Sequence, residues 1–186
     1  SDTDRLLLFR ARPKILLATN YEDALKIYKK NRNNILGFIS DVQFPQKGII
    51  NQNAGIELAG IIREKDSDMP IVLQSTNSDH QINAESVNAS FIHKNSSSLI
   101  QDLKDFIINN FGFGDFIFRY RSGKEISRAT SINEFQNALK NISTKSLEYH
   151  ASKNHFSNWL AVRGEFNLSS RLRPIKIHDY NTLDDL

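Results

Sequence analysis

Three side chains of complementary chemistry each end an apolar segment of strand length: Asp41 after 35–40, Ser75 after 70–74 and Lys94 after 89–93. In an open sheet of parallel strands, ligands bind outside the carboxyl ends of the strands. A carboxylate, a hydroxyl and an ammonium group at one such edge can accept, hydrogen-bond and neutralise a phosphoryl group. The sequence therefore predicts a phosphoryl-handling site built on these three residues.

The elements that must position these residues alternate between strand and helix. We predict strands at 14–19, 35–41, 70–75 and 89–94, and helices at 20–33, 54–66, 78–87 and 97–110. Strands that alternate with helices along the chain favour a parallel, doubly wound sheet with helices on both faces. The almost wholly apolar segment 70–75 suits a strand that is covered on both sides. We therefore expect an α/β fold over residues 1–110.

A proline and an aromatic residue accompany these side chains at fixed spacings. Pro45 follows Asp41 by four residues, and Phe91 precedes Lys94 by three. Together with Ser75, this pattern resembles the receiver domain of bacterial response regulators, which implies a flavodoxin-like fold. The resemblance implies that Asp41 is the phosphoacceptor and that Ser75 and Lys94 contact the phosphoryl group. It also implies that Phe91 is a conformational switch.

The first predicted strand departs from the receiver pattern. In that family the first strand ends in acidic residues that hold Mg²⁺, whereas residues 14–19 end in Ala18 and Thr19. We therefore expect the chain to enter the fold at its second strand, as part of a longer protein, with the acidic pair absent from this sequence. The resemblance implies that Asp41, the backbone carbonyl of Gln43 and that pair bind Mg²⁺ in the intact domain, and that this chain alone binds no cofactor.

The absence of a first strand has a structural consequence. The receiver order places that strand between 14–19 and 35–41, so a gap is expected there. We expect direct pairing of these two strands or swapping with another chain, and segment 6–9 is a further candidate to fill the gap. A second departure is an insertion at 46–53, before Gly55, which we expect to be a long polar loop beside the site.

Beyond residue 110 the pattern changes to a small α+β domain, expected over 111–180 and followed by a linker at 181–186. Two alternating segments, 115–121 and 124–129, flank a Ser-Gly turn and predict a β-hairpin. A capping box, Ser131 with Glu134, predicts the start of a helix. Two further helices are expected at about 145–153 and 156–172.

Part of this second region also resembles a known arrangement. Segments 149–160 and 170–174 are similar to a region of large bacterial multidomain proteins. In those proteins a receiver-like unit precedes modules related to phosphoenolpyruvate synthase and pyruvate phosphate dikinase, or adjoins histidine-kinase parts. The resemblance implies a regulatory region and implies neither ATP nor pyruvate binding.

Composition narrows the function classes. The chain has no cysteine, so disulfide and thiolate chemistry are excluded, and its net charge of +3 is too small to indicate a nucleic-acid partner. No apolar run approaches the roughly 20 residues of a membrane-spanning helix, so we expect a cytoplasmic protein without a membrane partner. His150 and His155 would point about 140° apart on one helix, which argues against a metal site.

Two functions remain open from the sequence. The first is a phosphorylatable receiver, not an enzyme in its own right, that takes its phosphoryl group from a histidine kinase or phosphotransfer protein. It would pass the signal to other domains of the parent chain, and a second copy of the chain is a further candidate partner. The second is a pseudo-receiver that serves as an interaction or scaffold domain without phosphorylation. The acidic residues of the missing strand would separate the two.

Overall fold

The computed structural model describes residues 14–175, which separate into two compact units. The N-terminal unit spans Lys14–Ile107, and the C-terminal unit begins at Ile108. Within the described residues, no helix has the length and apolar character needed to cross a membrane.

The N-terminal unit alternates strands and helices, with one additional hairpin. Its elements in chain order are α1 (Tyr21–Asn31), a 3₁₀ turn (Arg32–Asn34), β1 (Phe38–Asp41), β2 (Phe44–Gln46), β3 (Ile49–Asn51), α2 (Ala54–Lys65), β4 (Ile71–Ser75), α3 (His80–Ser86), β5 (Ser90–His93) and α4 (Leu99–Asn110), whose last three residues belong to the C-terminal unit. Asn20 caps α1 because its side-chain oxygen accepts a hydrogen bond from the backbone N–H of Asp23 at 2.8 Å.

Three strands form a parallel sheet in the order β1-β4-β5. Phe38 of β1 pairs with Ile71 of β4, and Val72 of β4 pairs with Ser90 of β5. The central strand β4 is buried at four of its five positions, as expected for a strand covered on both faces. The α/β class and the parallel sheet expected from the sequence are therefore confirmed.

The helix α2 packs on this sheet through the apolar face that the spacing of its residues predicts. Leu58, Ala59 and Ile62 are fully buried and belong to one core cluster with Leu73 of β4. Spacings of one, three and four residues place these side chains on one face of a helix. The prediction that they point inward is confirmed.

The strand expected at 14–19 is wrong. These residues have no strand pairing, and Ile15 and Leu17 are 93% and 80% exposed. The expected direct pairing with β1 is also wrong, because the one described neighbour of β1 is β4. A strand is stable only when its backbone groups pair with a neighbour. This segment has the amino-acid composition of a strand but lacks hydrogen bonds to a neighbouring strand. Segment 6–9 lies outside the described residues.

The segment expected to be a long loop is a second correction. Residues 44–51 form the antiparallel hairpin β2–β3, in which Pro45 pairs with Ile50. Its two-residue turn places Lys47 at φ 52° and Gly48 at φ 79°. Two successive left-handed residues match the twist of a hairpin, and glycine adopts that conformation without strain.

Up to residue 175, the C-terminal unit contains a hairpin and four short helices: β6 (Phe116–Arg119), β7 (Glu125–Ala129), α5 (Ile132–Leu139), α6 (Thr144–Ala151), α7 (His155–Val162) and α8 (Phe166–Leu172). The predicted hairpin and the helix opened by Ser131 are confirmed. The single helix expected at 156–172 is wrong, since it is divided at Gly164, whose φ of 85° is incompatible with a continuing helix. The linker expected at 181–186 lies outside the described residues.

Aromatic rings form the core of the C-terminal unit. Phe118 and Trp159 are 0% and 1% exposed, and Phe135 stacks on Trp159 with ring centroids 4.8 Å apart. Phe116 of the hairpin meets Phe135 edge to face at 5.0 Å. Phe116 and Phe118 of the hairpin therefore pack against the helices of their own unit.

Candidate functional site

The carboxyl ends of the parallel strands meet at one edge of the N-terminal sheet. Asp41 is the last residue of β1 and pairs in register with Gln74 of β4. Lys94 follows β5 directly, and its backbone N–H donates to the carbonyl of Ser75 at 2.8 Å. This backbone register brings the ends of β1 and β5 to the same level on either side of β4.

Asp41 and Lys94 form an ion pair across this edge. The Nζ atom of Lys94 lies 2.7 Å from Oδ2 of Asp41, and the two side chains are 35% and 47% exposed respectively. The long lysine side chain thus spans the end of β4 to reach the carboxylate. Because both groups remain in contact with solvent, an incoming anion can reach the ammonium group and a reactive electrophile can reach the carboxylate.

Gly55 fixes the backbone that carries Asp41. Its N–H donates to the carbonyl of Val42 at 2.9 Å, at the start of α2. A Cβ atom on Gly55 would lie 3.0 Å from the Cα of Val42 and would overlap the carbonyl oxygen of Asp41. Only glycine therefore lets α2 begin this close to the end of β1.

The hydroxyl of Ser75 does not contact the ion pair. Ser75 is buried, and its Oγ lies 2.8 Å from Nδ1 of His80 and accepts a hydrogen bond from the backbone N–H of Asn77 at 3.1 Å. His80 was not selected from the sequence. A contact between His80 and Ser75 could have been predicted from the position of His80, five residues after Ser75 and at the start of the helix that follows the strand. The structure therefore brings together Asp41 and Lys94, while Ser75 is engaged by α3.

The two remaining residues of the predicted site have different surroundings. Gln43 lies in an exposed bend two residues beyond Asp41. Phe91 is half-buried, pairs in register with Leu73 and packs against the core of the unit. Its role as a switch stays a prediction.

The described residues do not by themselves complete the Mg²⁺ site that the receiver resemblance implies. Mg²⁺ takes an octahedron of oxygen ligands and is usually bound through one or two carboxylates. At this edge the Asp41 carboxylate is paired with Lys94. Residues 14–175 contain no cluster of three or more His, Asp or Glu side chains that could hold a metal ion. We therefore derive no step through a metal.

The exposure of the ion pair predicts a small effect on stability. We expect Lys94→Met to change the free energy of unfolding by less than about 1 kcal/mol, since solvent screens exposed pairs. Urea unfolding of the variant measures this, with the exposed Lys104→Met as the matched control. A loss of more than about 2 kcal/mol specific to Lys94 would mean that the pair holds the fold together.

A second cluster of titratable groups lies in the C-terminal unit. His150 and His155 meet with their Nδ1 atoms 2.9 Å apart, which corrects the expectation that they diverge. They lie on different helices, because α6 ends at Ala151 and a turn with Asn154 at φ 55° precedes α7. The backbone N–H of Arg119 donates to Nε2 of His150 at 3.0 Å. Nε2 is therefore unprotonated, and the proton of neutral His150 is on Nδ1, directed at His155.

The buried position of His150 predicts acid sensitivity. Burial, then the nearby His155 and Arg119, lower its pKa from 6.5 to about 3. Between these values the unfolded chain binds a proton that the folded unit does not. The contribution of His150 to the free energy of unfolding is therefore fully present above about pH 6.5. It decreases as the pH is lowered through this window, by at most about 1.4 kcal/mol per pH unit.

The difference between wild type and His150→Gln in the pH dependence of the free energy of unfolding isolates the contribution of His150. Glutamine can accept the Arg119 hydrogen bond and does not titrate, so the variant is expected to lose less stability between pH 6.5 and 5. Fluorescence of the sole tryptophan, Trp159, reports unfolding of this unit. Parallel pH profiles for the two proteins would contradict the assignment, and His93→Gln in the other unit serves as the control.

Comparison with known protein families, with curated proteins and with solved structures found no match to this chain. The function is therefore argued from the geometry and from the sequence pattern.

Proposed function

We propose that the N-terminal unit is a receiver-like signalling module in which Asp41 accepts a phosphoryl group and Lys94 neutralises it. The observation that carries this proposal is the half-exposed Asp41–Lys94 pair across the carboxyl edge of the parallel sheet. A pair of this exposure contributes little to stability, so its position at the ligand-binding edge favours a chemical role. Gly55 supports that role by holding the Asp41 backbone against α2.

The proposed reaction is an in-line displacement at phosphorus. An oxygen of the Asp41 carboxylate forms the new O–P bond, while the N–P bond of a donor phosphohistidine breaks and its electron pair stays on the imidazole. The ammonium group of Lys94 moves its contact from the carboxylate to the phosphoryl oxygens, where it offsets their charge. A histidine kinase or phosphotransfer protein is the proposed donor.

The signal in this proposal is a change at β5. Lys94 directly follows β5, and Phe91 lies three residues before it against the core. A shift of Lys94 toward a phosphoryl group would favour a different position of Phe91 and of the surface formed by α3, β5 and α4. The charge event would thus shift the population between two conformations that a partner or another domain can distinguish.

Phosphoryl labelling tests the proposal. We expect acetyl phosphate, with Mg²⁺ in the buffer, to add one phosphoryl group to the longest natural form of the protein and none to its Asp41→Asn variant. Asp105→Asn, which removes an exposed carboxylate on α4, is the matched control and should label like wild type. Labelling that persists in Asp41→Asn would refute Asp41 as the acceptor.

A second function, an interaction domain without phosphorylation, has one observation in its favour. The Ser75 hydroxyl is hydrogen-bonded to the His80 side chain and the Asn77 backbone, neither of which belongs to the ion pair. A folded protein that takes no label would favour this function. In that case the same sheet edge would serve as a docking surface.

A further inference from the structure

The C-terminal unit has a small cavity, partly open to solvent, beside its aromatic core. The cavity has a volume of about 40 Å³ and is bounded by Arg119 of β6, by the two histidines and by Trp159, with Asp115 at the start of the hairpin. A single water needs about 10–15 Å³ on this measure. The space inside the cavity therefore suits about three waters or one small polar group.

Arg119 brings a polar atom without a partner to this cavity wall. Its Nε atom is buried and makes no hydrogen bond, although its backbone N–H and carbonyl are bonded to His150 and Ser146. A buried donor attached to a charged group destabilises the folded protein when it is left unsatisfied. Such a group in a native protein calls for a bound water or ion.

The neighbouring groups leave the Nε–H of Arg119 without an acceptor. Asp115 is the one carboxylate among the described residues that line the cavity, and its Oδ2 atom is ion-paired with Arg128 at 3.2 Å. His150 is neutral, because its Nε2 atom accepts the Arg119 N–H. The positive charge of Arg119 is one of the causes, after burial and His155, that lower the pKa of His150. The cavity therefore offers the unpaired Nε–H of Arg119 as a hydrogen-bond donor, while the nearby Asp115 carboxylate is held by Arg128.

We infer that this cavity is a binding site for a small oxyanion, a phosphate or a carboxylate group, with the guanidinium of Arg119 as its principal ligand. Guanidinium groups bind both anions through paired N–H donors. The ligand can be a free ion or the terminal group of a larger molecule, since the chemistry at the guanidinium is the same. This site belongs to the C-terminal unit and is independent of phosphorylation at Asp41.

Thermal unfolding of the full chain, followed by Trp159 fluorescence, tests the inference. Inorganic phosphate and acetate are titrated separately against sodium chloride at matched ionic strength. We expect at least one of the two anions to raise the Tm with the logarithm of its concentration, as ligand linkage requires. Stabilisation by phosphate alone identifies a phosphate site, and stabilisation by acetate alone identifies a carboxylate site.

Two variants and one spectroscopic signal separate specific binding from general salt effects. Arg119→Gln is expected to weaken the apparent affinity by about tenfold or more, whereas Arg121→Gln, at an exposed turn position nearby, should retain it. If Arg119→Gln does not fold, the Nε–H resonance of Arg119 in wild type replaces the comparison and should shift on titration. The inference is overturned if neither anion stabilises the protein beyond chloride, if Arg119→Gln responds like wild type, or if the Arg119 resonance does not move.

Discussion

Gly55→Ala is expected to destabilise the N-terminal unit by about 2–3 kcal/mol, while Gly60→Ala on the same helix stabilises it by about 0.5–1 kcal/mol. Hydrogen exchange of the α2 amides, or urea unfolding followed by circular dichroism, measures both effects. The two changes add the same methyl group to the same element, five residues apart. Changes of opposite sign in the free energy of unfolding would therefore be a stringent test of how α2 is placed.

The reason for the opposite signs is what each new methyl group would contact. At Gly55 it would overlap the carbonyl oxygen of Asp41, a backbone atom at the end of a paired strand that cannot rotate away. At Gly60 nothing lies within 4 Å, so alanine only reduces the freedom of the unfolded chain. Equal effects of the two substitutions would mean that α2 does not begin against the end of β1.

Phe118→Ala is expected to destabilise the C-terminal unit by about 3–5 kcal/mol, the range for a fully buried phenylalanine. Phe118 is 0% exposed, and its ring lies 4.6 Å from Phe116 and 5.5 Å from Phe135, measured between centroids. The substitution removes these contacts and leaves a cavity that the surrounding rings fill only in part. Denaturant unfolding monitored by Trp159 fluorescence measures the loss.

Phe166→Ala is the matched control for this prediction. Phe166 is 57% exposed at the start of α8, so the same change of residue type should cost less than about 1 kcal/mol. A similar loss at both positions would contradict the placement of Phe118 in the core. Both variants leave the aromatic residues of the N-terminal unit unchanged.

The sequence predicts those features that depend on local periodicity and on the common edge of a parallel sheet. The spacing of Leu58 and Ile62 was sufficient to place α2 on the sheet, because helical faces follow from residue spacing alone. The meeting of Asp41 and Lys94 followed from the rule that parallel strands end at one edge. The glycine of the Lys47-Gly48 turn was a sequence signal for a hairpin. The polar composition of the segment nevertheless led to the prediction of a loop.

Features that depend on pairing or on distant packing were not predictable in the same way. Segment 14–19 has strand composition, but a strand exists only with a partner, and no local pattern reports whether one is present. His150 and His155 meet because Asn154 adopts a left-handed conformation and separates two helices, whereas residue spacing assumed one helix. The Nε atom of Arg119 is buried by residues that are distant in the sequence, so its lack of a partner could not be predicted from the local pattern.

The most direct test of the proposed phosphoacceptor is to locate the modified residue chemically. Borohydride reduces an aspartyl phosphate to homoserine, so the longest natural form of the protein is treated with acetyl phosphate and Mg²⁺, reduced and mapped by peptide mass spectrometry. We expect homoserine at position 41 in wild type and in Asp105→Asn, at a yield that falls in Lys94→Met. Homoserine at another aspartate, or none at position 41 in a folded protein, would contradict it.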